Sequence, residues 1–210
     1  MQDKKNKISM LQYDKTDVTI SAVETKYDGF FKLNEYELKH KLFSQKQSNT
    51  FTREIFERGD AVVVMLYDPL KDSVLLLEQF RPGVLRANVT PWMLEFIAGM
   101  FDDNESPIDV AIREAKEEAN IDLTPESIKP IMKYFSSPGG TSECIYLYWA
   151  TFDSSDISSG SIHGLAHENE DIMLHVVSRI EALALLTEGK ISNAATVIGL
   201  QWLAINYQNL

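Results

Sequence analysis

Cysteine is almost missing from this chain, with Cys144 alone among 210 residues. A single thiol excludes an intrachain disulfide framework and fits a reducing compartment such as the cytoplasm. Basic residues are also scarce, 20 against 31 acidic, for a formal net charge of −11. That balance argues against a general nucleic-acid binder, which needs a basic footprint. A small anionic ligand remains open, provided a cation and a few local arginines offset the repulsion. Long apolar runs are absent too. The longest, such as 61–67, are too short to span a bilayer. The positively charged start MQDKKNKISML is not followed by the apolar stretch of a signal peptide. Neither repeats nor low-complexity tracts occur. The expectation is a cytoplasmic soluble protein without a membrane or nucleic-acid partner.

What is present is enough for a real core: 44% hydrophobic residues over a length that suggests one domain, or one and a fragment. Residues 1–58 are polar, with short alternating stretches at 18–23, 30–38 and 50–56 that read as antiparallel strands. A segment this small does not easily support its own core, so it should pack on the rest of the chain or on a second subunit. From Gly59 the texture changes, and 59–210 reads as the main domain. The runs 61–67 and 74–80, separated by DPLKD, read as a buried hairpin. Further strands are expected at 92–98, 131–135, 144–152 and 172–177. Helices are expected at 107–119, from Ser178 to Gly189, and at 193–207. Long polar loops at 136–143 and 153–171 are the kind that often carry function. A mixed sheet between helices on both sides, plus a small antiparallel β-rich segment, is the predicted architecture.

The helix at 107–119 has the most to say. Ser106 suits its N-cap, Pro107 its first position, and Asp109 completes a capping box. Ile108, Ala111, Ile112, Ala115 and Ala119 form one stripe at helical periodicity, the face expected to pack on the sheet. Glu114, Glu117 and Glu118 project from an adjoining face at i,i+3 and i,i+4 spacing. Carboxylates this close repel unless a cation sits between them, and hard divalent ions with oxygen ligands supply that compensation. Arg113, one turn before Glu117, could hold a carboxylate in place. Glutamate pairs alone are usually a solvated helix face. Here Gly99, Glu105, Arg113, Glu114, Glu117 and Glu118 together match the spaced pattern G-x5-E-x7-R-E-U-x-E-E.

The segment GMFDDNESPIDVAIREAKEEANI resembles the 23-residue signature of the Nudix hydrolases. Two positions depart from it. Ala115 stands where a larger aliphatic is common. Asn120 replaces the closing glycine, and Asn is the next best residue for the left-handed region that ends such a helix. Three more segments, LEQFRPG (77–83), SSPGGTSE (136–143) and IHGLAHENEDI (162–172), resemble the ADP-ribose pyrophosphatase subfamily. Physically, Arg81 at a strand end could make a charge-assisted contact with a diphosphate. Gly139 and Gly140 would permit close backbone approach to a ligand.

The resemblance implies the Nudix fold and hydrolysis of the diphosphate of ADP-ribose to AMP and ribose 5-phosphate. It implies two or three Mg²⁺ ions, with Mn²⁺ as a substitute, held by Glu114, Glu117, Glu118 and the carbonyl of Ala98. Arg113 completes the catalytic set, and Glu105 orients Arg113 or Glu114. A mobile carboxylate is needed to deprotonate the attacking water. The resemblance puts it in the loop 162–172, where Glu168 is first choice and Glu170 second, beside His163 and His167; Glu143, at the end of the 136–143 segment, is third. It also implies a homodimer whose exchanged N-terminal strands lend groups to the partner's site; Arg53 is a candidate contact from that region, and an aromatic there, such as Phe30, could stack on adenine. Two rival readings are a Nudix pyrophosphatase for another nucleotide sugar, ADP-glucose or GDP-mannose, and a non-catalytic ADP-ribose-binding module of the same fold.

Overall fold

The computed structural model describes residues 10–210, which form two compact units. One holds residues 10–58 together with Ser137–Ser142; the other holds Gly59–Ser136 with Glu143–Leu210. In the first, β1 (Val18–Asp28), β2 (Lys32–His40) and β3 (Phe51–Glu57) make an antiparallel three-stranded sheet in that order. The loop 137–142 joins it: the Phe56 N–H donates to the Gly140 carbonyl at 2.9 Å, and Thr141 pairs with Phe56.

The second unit contains β4 (Ala61–Asp68), β5 (Ser73–Phe80), β6 (Trp92–Glu95), β7 (Ile97–Met100), α1 (Pro107–Ala119), β8 (Ile128–Phe135) and β9 (Cys144–Thr151). After these come β10 (Ile162–His163), β11 (Ile172–Ser178), α2 (Arg179–Thr187) and α3 (Ala194–Asn206). The strands form a mixed sheet ordered β10-β11-β5-β4-β9-β8, with β4 and β9 parallel and the other pairs antiparallel. All eight residues of β4 are buried, because successive side chains point to opposite covered faces. Val62, Val64 and Leu66 meet Val110, Ala111, Ala115 and Ala119 of α1. Val63, Met65 and Tyr67 meet Ala182 of α2 and Ala195, Leu200 and Leu203 of α3. The result is an α-β-α sandwich. Ala115 is wholly buried on the α1 face, at the position where the family signature commonly has a larger aliphatic.

Two expectations need correction. The hairpin of β4 and β5 is paired only at Tyr67↔Val74 and Asp68↔Ser73, after which the strands part. Their freed backbone groups need partners, and the segment 92–100 supplies them as two short strands rather than one. β6 pairs with β5, β7 pairs with β4, and the switch falls at the buried Phe96. The two-residue β10 was not foreseen; it is too short for any periodicity to announce.

The helix ends match their expected chemistry. Ser106 and Asp109 form both halves of a capping box, and Asn120 closes α1 in the left-handed region at φ 54°. The Ser178 side chain accepts from the Glu181 N–H at the start of α2, and Asn193 caps α3. Among the described residues, no helix is long and apolar enough to cross a membrane.

Candidate active site

Helix α1 lies against β7, and that contact builds the acidic cluster. The Ala98 N–H donates to Glu118 Oε2 at 2.9 Å, fixing a carboxylate that is almost fully buried. Next to it, a Cβ on Gly99 would stand 1.6 Å from Glu114 Oε1. Only glycine lets the strand backbone come this near the helix carboxylate. Burial pushes Glu114 up to about 7, against the pull of Arg113 and with help from the neighbouring Glu117 and Glu170 charges. Burial likewise drives Glu118 well above the usual carboxylate range, although the Ala98 amide opposes it; the Glu114 and Glu170 charges add to the rise, and the Arg81 charge counters it.

Arg113 is the hub. Its Nε and Nη2 grip Glu105 at 2.8 and 2.9 Å, its Nη2 also donates to the Met100 carbonyl at 2.9 Å, and Nη1 reaches Glu114 at 2.6 Å and Glu117 at 3.1 Å. The fork to Glu105, together with the Asp102 N–H, lowers that carboxyl to about 2. Glu105 therefore works on Arg113. Among the described residues no three carboxylate, histidine or cysteine side chains converge at ligand distance; Glu114 and Glu117 turn instead to the Arg113 guanidinium. The donor set still fits a hard divalent cation. Every donor is an oxygen, and a half-buried and a buried carboxylate, both pushed toward neutrality by desolvation, are what a nearby cation would relieve.

On the same unit, Arg81 closes β5 with its guanidinium docked on Glu95 of β6, Nε and Nη2 each 2.9 Å from Oε2. Its positive charge opposes the rise that burial imposes on Glu118. The loop 164–171 offers two glutamates in different situations. Glu168 is exposed and faces His167 at 3.6 Å. Glu170 is half-buried, accepts from the Leu165 N–H at 3.3 Å, and raises both Glu114 and Glu118. Gly164, at φ +101°, makes this turn possible, since a Cβ there would lie 2.8 Å from that of Glu170. Glu143, the third choice as base, is buried at the start of β9. His163 lines a cavity of about 500 Å³ beside Asn120, Asp122, Phe152 and Asp156, which shares no residue with the acidic cluster.

Phe30, Arg53, Gly139 and Gly140 belong to the other unit. Phe30 is exposed, edge-on to Phe31 at 4.7 Å. Arg53 lies over the Phe51 ring at 4.6 Å and donates to the Thr52 carbonyl at 2.7 Å. Gly139 and Gly140 face open space. The residue that sequence reasoning passed over is Glu95, the partner of Arg81. Its signal was available: a lone carboxylate inside the apolar run LEFIA, on a strand expected to be buried.

The NUDIX domain model matches residues 57–195, and the chain belongs to that family, with the Nudix fold. Among curated relatives, it is 48% identical to the ADP-ribose pyrophosphatase of Escherichia coli (strain K12) over 198 residues, covering 94% of this chain and 93% of that one. It is 44% identical to the Haemophilus influenzae ADP-ribose pyrophosphatase, covering 100% and 97%. A GDP-mannose pyrophosphatase of Pectobacterium atrosepticum is more distant, at 32% identity over 87% of this chain and 92% of that one. A solved ADP compounds hydrolase superposes with a TM-score of 0.68 over 91% of this chain and 95% of that one; at 19% identity the likeness is one of fold.

Proposed function

We propose that this protein is an ADP-ribose pyrophosphatase that hydrolyses its substrate to AMP and ribose 5-phosphate. The observation that carries the reading is the pair of half-buried Glu114 and buried Glu118, held against Gly99 and Ala98 on one helix face. Similarity to ADP-ribose pyrophosphatases over nearly the whole chain supports the substrate. Divalent cations, Mg²⁺ with Mn²⁺ as substitute and two or three in number, would be held by Glu114, Glu117, Glu118 and the Ala98 carbonyl, neutralising the diphosphate and acidifying a water.

The chain's own residues divide the remaining work. Arg81 offers the face of its guanidinium not taken by Glu95 to a diphosphate oxygen. Arg113 keeps the helix carboxylates apart and aimed, with Glu105 holding its far edge. In the loop, Glu168 takes the proton of the attacking water, its exposure leaving it free to move; Glu170, nearer the helix carboxylates, is the alternative base, and Glu143 the third. The water oxygen bonds to phosphorus, the bridging P–O bond breaks, and each product leaves with one phosphate. Residues 1–58 act as a dimerisation segment with exchanged strands, and 59–210 as the hydrolase domain. Exposed apolar side chains along β1 favour such a partner, and Phe30, Arg53, Gly139 and Gly140 are assigned to substrate binding. A reducing cytoplasm suits the lone buried Cys144.

Turnover across ADP-ribose, ADP-glucose and GDP-mannose with Mg²⁺, with and without chelator, tests the reading. ADP-ribose should rank among the best substrates and chelator should abolish its hydrolysis. A clear preference for GDP-mannose would reassign the substrate, and binding of ADP-ribose without turnover would favour a non-catalytic module.

A further inference from the structure

We propose that Glu95 and Asn193 are positioning residues that hold Arg81 in the one orientation from which it can grip the substrate diphosphate. The proposal rests on the reading of Arg81 given above. Glu95 is buried, and both its oxygens are taken by protein donors. Oε2 accepts from Nε of Arg81 at 2.9 Å and from the Gln79 amide at 3.4 Å, with Nη2 of Arg81 in ion-pair contact at 2.9 Å. Oε1 receives Nδ2 of Asn193 at 3.0 Å. A carboxylate so enclosed has no room for substrate, so its effect must pass through the arginine it holds.

The energetics point the same way. A carboxylate this far from water is costly to leave unpaired, so Arg81 is strongly bound to remain docked. A free arginine at a strand end would spread over many rotamers and lose that side-chain entropy on gripping a ligand. Docking on Glu95 removes that loss in advance and fixes the plane of the fork. The contacts to Glu95 use Nε and Nη2, and among the described residues Nη1 makes no hydrogen bond, which leaves its protons for a phosphate oxygen.

Asn193 ties this arrangement to the fold. Its Oδ1 caps α3, accepting from the Thr196 N–H and hydroxyl at 3.2 Å each, while its Nδ2 donates to Glu95. Aspartate caps helices as well as asparagine does but has no proton to donate. The capping role therefore does not explain why Asn stands here; the bond to Glu95 does.

The test is a pair of double-mutant cycles on kcat/KM for ADP-ribose with Mg²⁺, using R81A, E95Q, N193D, R81A/E95Q and R81A/N193D. R81A should lose about a hundredfold, E95Q about tenfold and N193D several-fold, chiefly through KM, as expected for charge-assisted contacts. In the R81A background, E95Q and N193D should each change the rate less than about twofold, because coupled residues are non-additive. N193D keeps its helix-capping oxygen but sets a second carboxylate against Glu95; its Tm should fall by several degrees while the fold persists at assay temperature, so it carries the cycle even if E95Q folds poorly. Equal losses with and without Arg81 would mean a structural role only and overturn the proposal. Wild-type kinetics in R81A would instead overturn the assignment of Arg81, and the proposal with it.

Discussion

β1 and β4 are both rich in β-branched residues, yet none of the eleven residues of β1 is buried and all eight of β4 are. The difference lies in their patterns. β4 is apolar at both parities, so both its faces demand cover, and α1 on one side and α2 with α3 on the other provide it. β1 mixes Val18, Ile20, Val23 and Tyr27 with threonine, serine, glutamate and lysine, and leaves those four apolar side chains exposed. It is also an edge strand, with its outer backbone groups unpaired by any described strand. A doubly covered sheet is rigid enough to aim carboxylates and an arginine. A thin, exposed sheet suits association.

That division can be broken by experiment. The largest effect should come from the aiming sheet's own helix: E117Q combined with E118Q should lower hydrolysis about a thousandfold or more, several kcal/mol of transition-state stabilisation. Tm should hold or rise, since Gln at 118 removes a carboxyl that is disfavoured as a charge where it sits. Unchanged turnover would remove the acidic cluster from the chemistry. The next effect belongs to the thin sheet. I20D, placed on the exposed face of β1, should weaken self-association about tenfold or more by sedimentation velocity, while the isolated chain keeps its far-UV spectrum. A monomeric wild type, or an I20D protein that associates as before, would leave β1 without an associative role.

The smallest effect sharpens the picture of Arg113. Glu105 is held at about 2 by the Arg113 fork, below its ordinary 4.5. A carboxyl depressed in this way stabilises the fold fully above its unfolded value and loses that contribution as pH falls toward its folded one. Tm of the wild type should therefore drop between about pH 4.5 and pH 2 by a few degrees more than that of E105Q. Parallel curves would mean the fork contributes nothing to the fold.

Much of this was legible beforehand, and the physical reason is locality. The α1 cap, its apolar stripe and its left-handed close at Asn120 depend on residues within a turn of each other, so spacing alone announces them. The buried status of β4 followed from an apolar run without alternation. The parting of β4 from β5 did not, because it depends on β6 and β7, from further along the chain, filling the gap. The short β10 and the different settings of Glu168 and Glu170 were equally hidden, being set by loop geometry around Gly164.

By itself the sequence determined the chemistry of the acidic helix: which carboxylates share a face, what begins and ends the helix, and that Gly99 and Arg113 accompany them. It also determined that most of the chain would fold as a sheet covered on both sides. Only the tertiary structure decided which arginine is committed and which is open. Arg113 is saturated by Glu105, Glu114, Glu117 and the Met100 carbonyl. Arg81 is held along one edge by a buried carboxylate from the neighbouring strand, which is in turn fixed by the cap of α3. Glu95 and Asn193 are 98 residues apart, and no local pattern can show that two side chains so distant are hydrogen-bonded to each other. That is decided when the sheet and its covering helix close on each other.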